Sequence, residues 1–209
     1  MNKVIPKHPA LAHIKKVDPL LYKHAHAHHE HIVKNSAHRR NYKQLFSALA
    51  GAIVSQQLST KAADTIWKRL ETACKGEVTP PVLSRMRAST MRKAGLSASK
   101  TKALKELSLA VLTGSVDFKK LKKMPEHQAI DSLSQVWGIG TWTAEMFLMF
   151  ALAREDIFSS GDLGLIRSME TLYGIPKDSN KKIYEEFALR WAPHRSYASR
   201  VLWRVRDTP

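Results

Sequence analysis

The sequence predicts an all-α fold. Apolar residues recur every three to five positions along its longer segments, as in an amphipathic helix, and no segment of useful length alternates apolar and polar residues as a strand would. With 209 residues, 44% of them hydrophobic, the chain is long enough to bury a sizeable core. We predict two lobes: a helical bundle over residues 46–159, and a second helical lobe formed by both chain ends, residues 1–45 and 160–209.

The first helix that we predict covers residues 19–34 and is rich in histidine. His24, His28 and His31 share one face of such a helix, a spacing that would be compatible with a metal site. Because the helix has five histidines of varied phase, we favour a polar helix that faces solvent.

The segment 42–70 predicts two helices separated by the polar turn QQLS at residues 56–59. Further along the chain, prolines and glycines indicate where helices begin and end. One helix begins near Pro80, one ends near Gly95, one covers residues 100–113 before Gly114, and one begins at Pro125.

A Gly138-Ile139-Gly140 turn follows this last helix and precedes an apolar one, so residues from about 127 to 151 predict a helix-hairpin-helix motif. The backbone N–H groups around Gly138, Gly140 and Trp142 open the second helix, and a helix N-terminus with unsatisfied donors suits a phosphate. A bare Gly-x-Gly is also compatible with an ordinary helical hairpin whose glycines only permit a tight corner.

One acid, Asp162, follows the hairpin after the short loop FSSG. A carboxylate in such a loop can stabilise positive charge that develops in a transition state. Asp162 also directly precedes the helical segment LGLIRSMETLY, so N-capping of that helix is the alternative interpretation.

The chain is strongly basic, with 34 Lys and Arg, 18 Asp and Glu, and a net charge of +16. Residues 61–105 alone hold eleven Lys and Arg and three acids. Such a protein binds polyanions with a salt-dependent affinity; DNA, anionic membranes and acidic proteins all satisfy the charge. No apolar run approaches the roughly 20 residues of a membrane span, and residues 1–16 lack a secretory apolar core. The single cysteine, Cys74, excludes an intramolecular disulfide and a four-cysteine iron–sulfur cluster, and fits a reducing compartment.

Three segments resemble the helix-hairpin-helix (HhH-GPD) DNA glycosylases, and within them the 3-methyladenine DNA glycosylase II branch. They are AIVSQQLSTKAADTIW, GIGTWTAEMFLMFALAREDIF and GDLGLIRSMETLYG, and the likeness covers roughly residues 40–209. The family's hairpin is followed by an obligatory Asp, here Asp162, often with a second acid before it, where this chain has Gly161. The resemblance implies a two-lobed, all-α glycosylase fold, an active site in the cleft between the lobes, and Asp162 as the catalytic carboxylate.

The resemblance also implies how a substrate would be held. Trp142 and Trp203 match positions of pocket tryptophans, whose indole faces favour a flipped, positively charged alkylpurine; a place in the core is the alternative for both. The expected DNA contacts are Gly138, Gly140 and Thr141 in the hairpin, and Gln56, Gln57, Leu58 and Ser59 in the loop that enters the gap left by the flipped base. Some relatives have a bulkier side chain where this chain has Ser59, so the alternatives are Gln57 or Leu58 as the wedge, or a shallow insertion. A structural Na⁺ or K⁺ held by backbone carbonyls near Gln135, Trp137 and Ile139 is expected in the hairpin, and no other cofactor.

Family members that also cut the DNA backbone use a Lys where this chain has Trp142, which cannot form a Schiff base. The resemblance therefore implies a monofunctional glycosylase that hydrolyses the N-glycosidic bond of 3-methyladenine, 7-methylguanine and similar bases in double-stranded DNA. We expect a monomer without a membrane partner, located in the cytoplasm at a prokaryotic nucleoid or in a eukaryotic nucleus. Two alternatives stay open: a glycosylase of the same fold for uracil, hypoxanthine or a mismatched base, and a non-catalytic DNA-binding module.

Overall fold

The structure is a computed structural model that describes residues 8–34 and 41–207. These residues form thirteen α-helices and one short 3-10 helix, without a strand, so the all-α prediction is confirmed. In chain order the helices are α1 (Pro9–Val17), α2 (Pro19–Lys34), α3 (Tyr42–Ser55), α4 (Thr60–Ala73), α5 (Pro80–Arg85), α6 (Ala88–Lys93), α7 (Ala98–Leu112), α8 (Phe118–Leu121), α9 (Glu126–Ser134), α10 (Thr141–Phe150), α11 (Leu163–Tyr173), α12 (Lys181–Ala188), the 3-10 helix (Leu189–Trp191) and α13 (Arg195–Asp207).

Contacts divide the chain into two compact units. Unit 1 consists of residues 1–37 and 153–209, and unit 2 of residues 38–152. The unit boundaries thus lie after residues 37 and 152, whereas the predicted lobe boundaries lie after residues 45 and 159. Residues 1–7 lie outside the described residues, and they are part of the 1–16 segment that we expect to lack a secretory apolar core. In the part of the chain that is described, no helix has the length and apolarity needed to cross a bilayer.

The core of unit 1 lies between α1, α2, α11 and α13, which pack on one another. Fully buried apolar side chains from each helix meet there, among them Ile14, Leu21, Leu165 and Val201. Asp18, at the corner between α1 and α2, is buried among them. Its carboxylate accepts hydrogen bonds from the Tyr173 hydroxyl (2.7 Å) and the Trp191 indole (2.9 Å), which together fasten the corner to α11 and the 3-10 helix.

Helix α2 is amphipathic rather than polar all round. Leu21, Ala25, His29 and Ile32 form a buried stripe on it, and the Nδ1 atom of His29 lies 2.9 Å from the Tyr197 hydroxyl of α13. The prediction of a helix that faces solvent is therefore wrong for this face, because five histidines obscured a stripe with only three apolar members. No group of three or more His, Cys, Asp or Glu side chains within residues 8–34 and 41–207 is placed to hold a metal ion.

In unit 2, α3 lies at the centre and packs against α4, α7 and α10. The two helices expected over residues 42–70 are α3 and α4, the helix expected over 100–113 is α7, and the helix expected at Pro125 is α9. Side-chain caps explain where the first three begin. The Asn41, Ser59 and Ser97 side chains each accept a hydrogen bond from a backbone N–H in the first turn of the helix that follows.

Candidate active site

Helix α11 places the predicted catalytic carboxylate. Asp162 is its N-cap residue, and Oδ1 accepts a hydrogen bond from the backbone N–H of Leu165 at 2.9 Å. The N-capping interpretation from the sequence is thus correct as a description of local structure. Capping does not exclude catalysis, because it holds the carboxylate in one orientation at the positive end of a helix, where an anion is stabilised.

A second donor reaches the same oxygen from α13. The indole Nε1 of Trp203 donates to Asp162 Oδ1 at 3.0 Å, and the Trp203 ring packs half-buried against the core of unit 1. Trp203, predicted as a pocket wall, is therefore also the side chain that orients Asp162. Gly164 leaves room for this pair, since a Cβ at that position would lie 3.0 Å from Asp162 Oδ1 and would collide with the Arg206 guanidinium.

The surroundings of Asp162 combine fixed geometry with access. The Asp162 side chain is half-buried, while its neighbour Leu163 is 73% exposed. A carboxylate that is held by two N–H donors and still reaches the surface of unit 1 can face a developing positive charge without reorganising. The sequence contained no signal for Gly164 or for the exposure of Leu163, since both are ordinary residues of a helical segment.

In unit 2 the predicted hairpin is present, formed by α9, a turn over residues 135–140, and α10. Gly138 adopts a positive φ of 89°, and a Cβ there would lie 2.5 Å from the Cβ of Ala103 in α7. This residue must therefore be glycine both for its backbone conformation and for the close approach of the turn to α7. Gly140 is the N-cap of α10 with a φ of −91°, and a Cβ there would meet nothing within 4 Å. A side chain at position 140 would therefore point into open space.

Two tryptophans flank the turn: Trp142, predicted as a pocket wall, and Trp137, predicted only as a backbone carbonyl of the cation site. Trp142, the second residue of α10, is 42% exposed, and Trp137 is 45% exposed with the ammonium of Lys102 at 4.4 Å from its ring centroid. Neither indole is buried in the core of unit 2, which was the alternative interpretation for Trp142. Both indoles therefore lie at the surface of unit 2, and the Lys102 ammonium covers one face of Trp137.

The loop between α3 and α4 contains four predicted DNA contacts that have different structural roles. Gln56 points toward the hairpin, where its Nε2 donates to the carbonyl of Gly138 and to Oγ1 of Thr143, both at 3.0 Å. Ser59 caps α4. Gln57 and Leu58 form the tip: both are exposed, and Gln57 has a positive φ of 56°. The side chains of the tip thus lie at the surface of unit 2.

The turn of the hairpin also offers carbonyl oxygens. Within the described residues, no N–H or O–H group donates a hydrogen bond to the carbonyls of Gln135, Trp137 or Ile139, the residues expected to hold a monovalent cation. The intervening carbonyls of Val136 and Gly138 both accept hydrogen bonds. Alternate residues therefore keep their carbonyls available, which fits a hard cation that prefers oxygen ligands.

The sequence is similar to those of known DNA repair proteins. The family model described as HhH-GPD superfamily base excision DNA repair protein matches residues 50–193. DNA-3-methyladenine glycosylase 1 of Schizosaccharomyces pombe is 33% identical over 166 residues, which are 78% of this chain and 73% of that protein.

Two solved structures are similar over nearly the whole chain. The DNA-3-methyladenine glycosidase of Bacillus halodurans has a TM-score of 0.83 at 32% identity and covers 97% of this chain and 91% of its own. The 3-methyladenine DNA glycosylase of S. pombe in complex with abasic DNA has a TM-score of 0.79 at 29% identity, with 94% and 96% covered. The chain belongs to the HhH-GPD superfamily of base excision DNA repair proteins.

Proposed function

We propose that this protein is a monofunctional DNA N-glycosylase that excises alkylated purines, such as 3-methyladenine and 7-methylguanine, and leaves an abasic site. The observation that carries the proposal is the Asp162 carboxylate, held by the α11 N-terminus and by the Trp203 indole in a chain of this family. The names of its relatives, 3-methyladenine glycosylases from yeast and from bacteria, support the choice of lesion.

In the proposed reaction, Asp162 acts as the catalytic residue. Rupture of the N-glycosidic bond gives the sugar oxocarbenium character, and a preorganised carboxylate stabilises this charge most strongly in the transition state. An alkylated purine already carries a positive charge and is a good leaving group, so the reaction does not depend on a general acid. The attacking water completes the hydrolysis, with Asp162 as the group that orients or deprotonates it. Trp142 stands where lyases of the family carry a Lys, so no covalent intermediate forms on this side chain.

Selection of the base rests on its charge. A cation over an indole face gains about 0.5–2 kcal/mol, and an undamaged base lacks that charge. The exposed ring of Trp142 supports its assignment as a wall of the base pocket. Trp203 would serve as the positioning residue for Asp162, and its contact with the base stays a prediction.

Double-stranded DNA that contains alkylated bases is the proposed partner, bound by a monomer in the nucleoid or nucleus. The N-terminus of α10, with Gly138, Gly140 and Thr141, would bind a phosphate of the damaged strand, and the Gln57–Leu58 tip would enter the gap left by the flipped base. The carbonyls of Gln135, Trp137 and Ile139 would hold a monovalent cation. When bound, this cation would supply positive charge beside that phosphate, and the reaction needs no other cofactor.

The test is release of free bases from three kinds of duplex: DNA methylated by an alkylating agent, DNA with uracil, and DNA with hypoxanthine. We expect 3-methyladenine to be released from the first at a rate well above that of the other two bases, with strand breaks only after alkali treatment. Cleavage without alkali would refute the monofunctional assignment. Preferred release of uracil or hypoxanthine would show that the enzyme acts on a lesion other than alkylated purines. If the protein binds all three duplexes but releases no base, it is a non-catalytic DNA-binding module.

A further inference from the structure

The α3–α4 loop is fastened by a lysine that lies far from it in the sequence. Lys100, in the first turn of α7, donates from its ammonium to the backbone carbonyls of Val54 and Gln56, both at 2.7 Å. These carbonyls belong to the last turn and the C-cap of α3, where oxygens lack partners within the helix and a cation is favourable. Burial lowers the pKa of Lys100, so the ammonium is partly withdrawn from water at this position rather than presented to solvent.

The end of α3 is also held by hydrogen bonds from a side chain. The Gln56 side chain donates to the Gly138 carbonyl and to the Thr143 hydroxyl, so the residue is bound by its backbone to α7 and by its side chain to the hairpin. The next residue, Gln57, has a left-handed φ of 56°, a conformation that a residue other than glycine adopts only when its surroundings hold it there. The tip of the loop is therefore maintained from its base.

We propose that Lys100 is a positioning residue that holds the Gln57–Leu58 tip in the conformation that enters the duplex, and that Gln56 couples this tip to the phosphate-binding hairpin. The inference rests on the proposed function, because it assigns the tip to the gap left by a flipped base. Without the ammonium, two carbonyls at the end of α3 lose their donor, and the tip is no longer held in one conformation. Phosphate binding by the hairpin should persist, while the step in which the base leaves the stack should slow.

The chain offers a matched control on the same helix. Lys105 is also half-buried in α7, and its ammonium donates at 3.0 Å to the carbonyl of Ser84, in the last turn of α5. Lys105→Met removes the same charge and a comparable bond to a helix end, yet it does not touch the α3–α4 loop. A purely structural or electrostatic effect of losing one buried lysine should appear equally in both variants.

The experiment compares wild type, Lys100→Met, Lys100→Arg and Lys105→Met in two assays. The first measures single-turnover release of 3-methyladenine together with the Kd for undamaged duplex. The second uses an abasic-site duplex with 2-aminopurine beside the gap, whose fluorescence reports insertion of the tip without any chemistry. We expect Lys100→Met to slow release at least tenfold and to lose most of the fluorescence change at saturating protein, with a Kd within threefold of wild type. Lys105→Met should stay within threefold in both assays, and Lys100→Arg should recover most of the signal.

Equal effects of Lys100→Met and Lys105→Met on rate and fluorescence would overturn the inference. A wild type that releases no base but gives the fluorescence change would instead refute the proposed function while retaining the role of Lys100. Should Lys100→Met be unfolded at the assay temperature, Lys100→Gln takes its place. Its amide can donate to one of the two carbonyls, so an intermediate fluorescence change is expected, and a full wild-type change would contradict the role of Lys100.

Discussion

Replacing Asp162 with asparagine separates the two roles of this residue. Asparagine has the same shape and is as good an N-cap as aspartate, so its Oδ1 can still accept from Leu165 and from Trp203. The lost negative charge at a helix N-terminus costs about 0.3–1 kcal/mol. We therefore expect the free energy of unfolding of Asp162→Asn to lie within about 1 kcal/mol of wild type.

The rate should respond far more strongly. A carboxylate about 4 Å from the developing charge of the sugar is worth about 4 kcal/mol at an effective dielectric constant of about 20. Since each 1.36 kcal/mol or so is a factor of ten, excision should slow by about three orders of magnitude. Asp162→Ala should lose a similar amount of activity and also about 2 kcal/mol or more of stability, because it removes the cap and leaves the Trp203 N–H without its acceptor.

The assay is single-turnover release of 3-methyladenine, measured beside urea unfolding of each variant. Asp117→Asn is the control: the Asp117 side chain caps α8 in unit 2 by accepting hydrogen bonds from the backbone N–H groups of Lys119 and Lys120, and its replacement should leave the rate unchanged. An Asp162→Asn variant that keeps its rate within about tenfold, while Asp162→Ala loses rate and stability together, would show that the carboxylate serves only as a cap. The catalytic assignment would then be wrong.

Three further predictions test other parts of the structure. Trp203→Phe keeps a ring in the core but removes the N–H donor to Asp162, and a hydrogen bond to a charged group is worth about 1.5–3 kcal/mol, so single-turnover excision should slow about tenfold or more. Gly138→Ala should lower the free energy of unfolding by about 2 kcal/mol or more, through its left-handed φ and the collision with α7, whereas Gly140→Ala should change it by about 1 kcal/mol at most. Asp156→Asn should lower the free energy of unfolding at neutral pH. In denaturation curves measured over a range of pH, the difference in this free energy between variant and wild type should shrink below about pH 4.

The sign of the last effect follows from the Asp156 environment. Burial raises the pKa of Asp156, but the hydrogen bonds and the charge of Arg195, at 2.8 Å, outweigh it, so the pKa in the folded protein lies below its ordinary value. A carboxyl group of this kind contributes stability above its unfolded pKa of about 3.9 and loses it as the pH falls through the folded pKa.

Each of the three has an outcome that contradicts it. If Trp203→Phe excises the base at the wild-type rate, the Trp203 indole does not position Asp162. Equal stabilities of Gly138→Ala and Gly140→Ala would show that the hairpin turn can move away from α7. If the free energy of unfolding of Asp156→Asn differs from that of wild type by the same amount at every pH, the Asp156–Arg195 pair contributes by packing alone.

Much of the fold and of the site could be predicted from local patterns. Helical spacing and the positions of proline and glycine placed α3, α4, α7 and α9 within a few residues of their observed bounds. The Gly138-Ile139-Gly140 turn predicted the hairpin, and Asp162 stood out as the acid directly after the FSSG loop. These features are local, since helix periodicity and capping depend on residues three or four positions apart.

Other features were missed because their signals are weak in the sequence. The buried face of α2 contains a histidine, and a polar side chain at a core position breaks the apolar stripe on which the prediction depended. Helices α1 and α12 are short, with nine and eight residues, and were not predicted. Lys100 was one of eleven basic residues in its region, and nothing in the sequence marked it as a half-buried donor rather than a phosphate contact.

The amino-acid sequence by itself determined the helical class, the strongly basic charge, the hairpin and the presence of an Asp directly after the FSSG loop. Only the tertiary structure decided which side chains act on that acid and on the loop. Trp203 reaches Asp162 across 41 residues, and Lys100 reaches the Gln56 carbonyl across 44. Such contacts depend on how whole helices pack, through side-chain shape and close approaches like that of Gly138 to α7, and no pattern with a period of three or four residues encodes them.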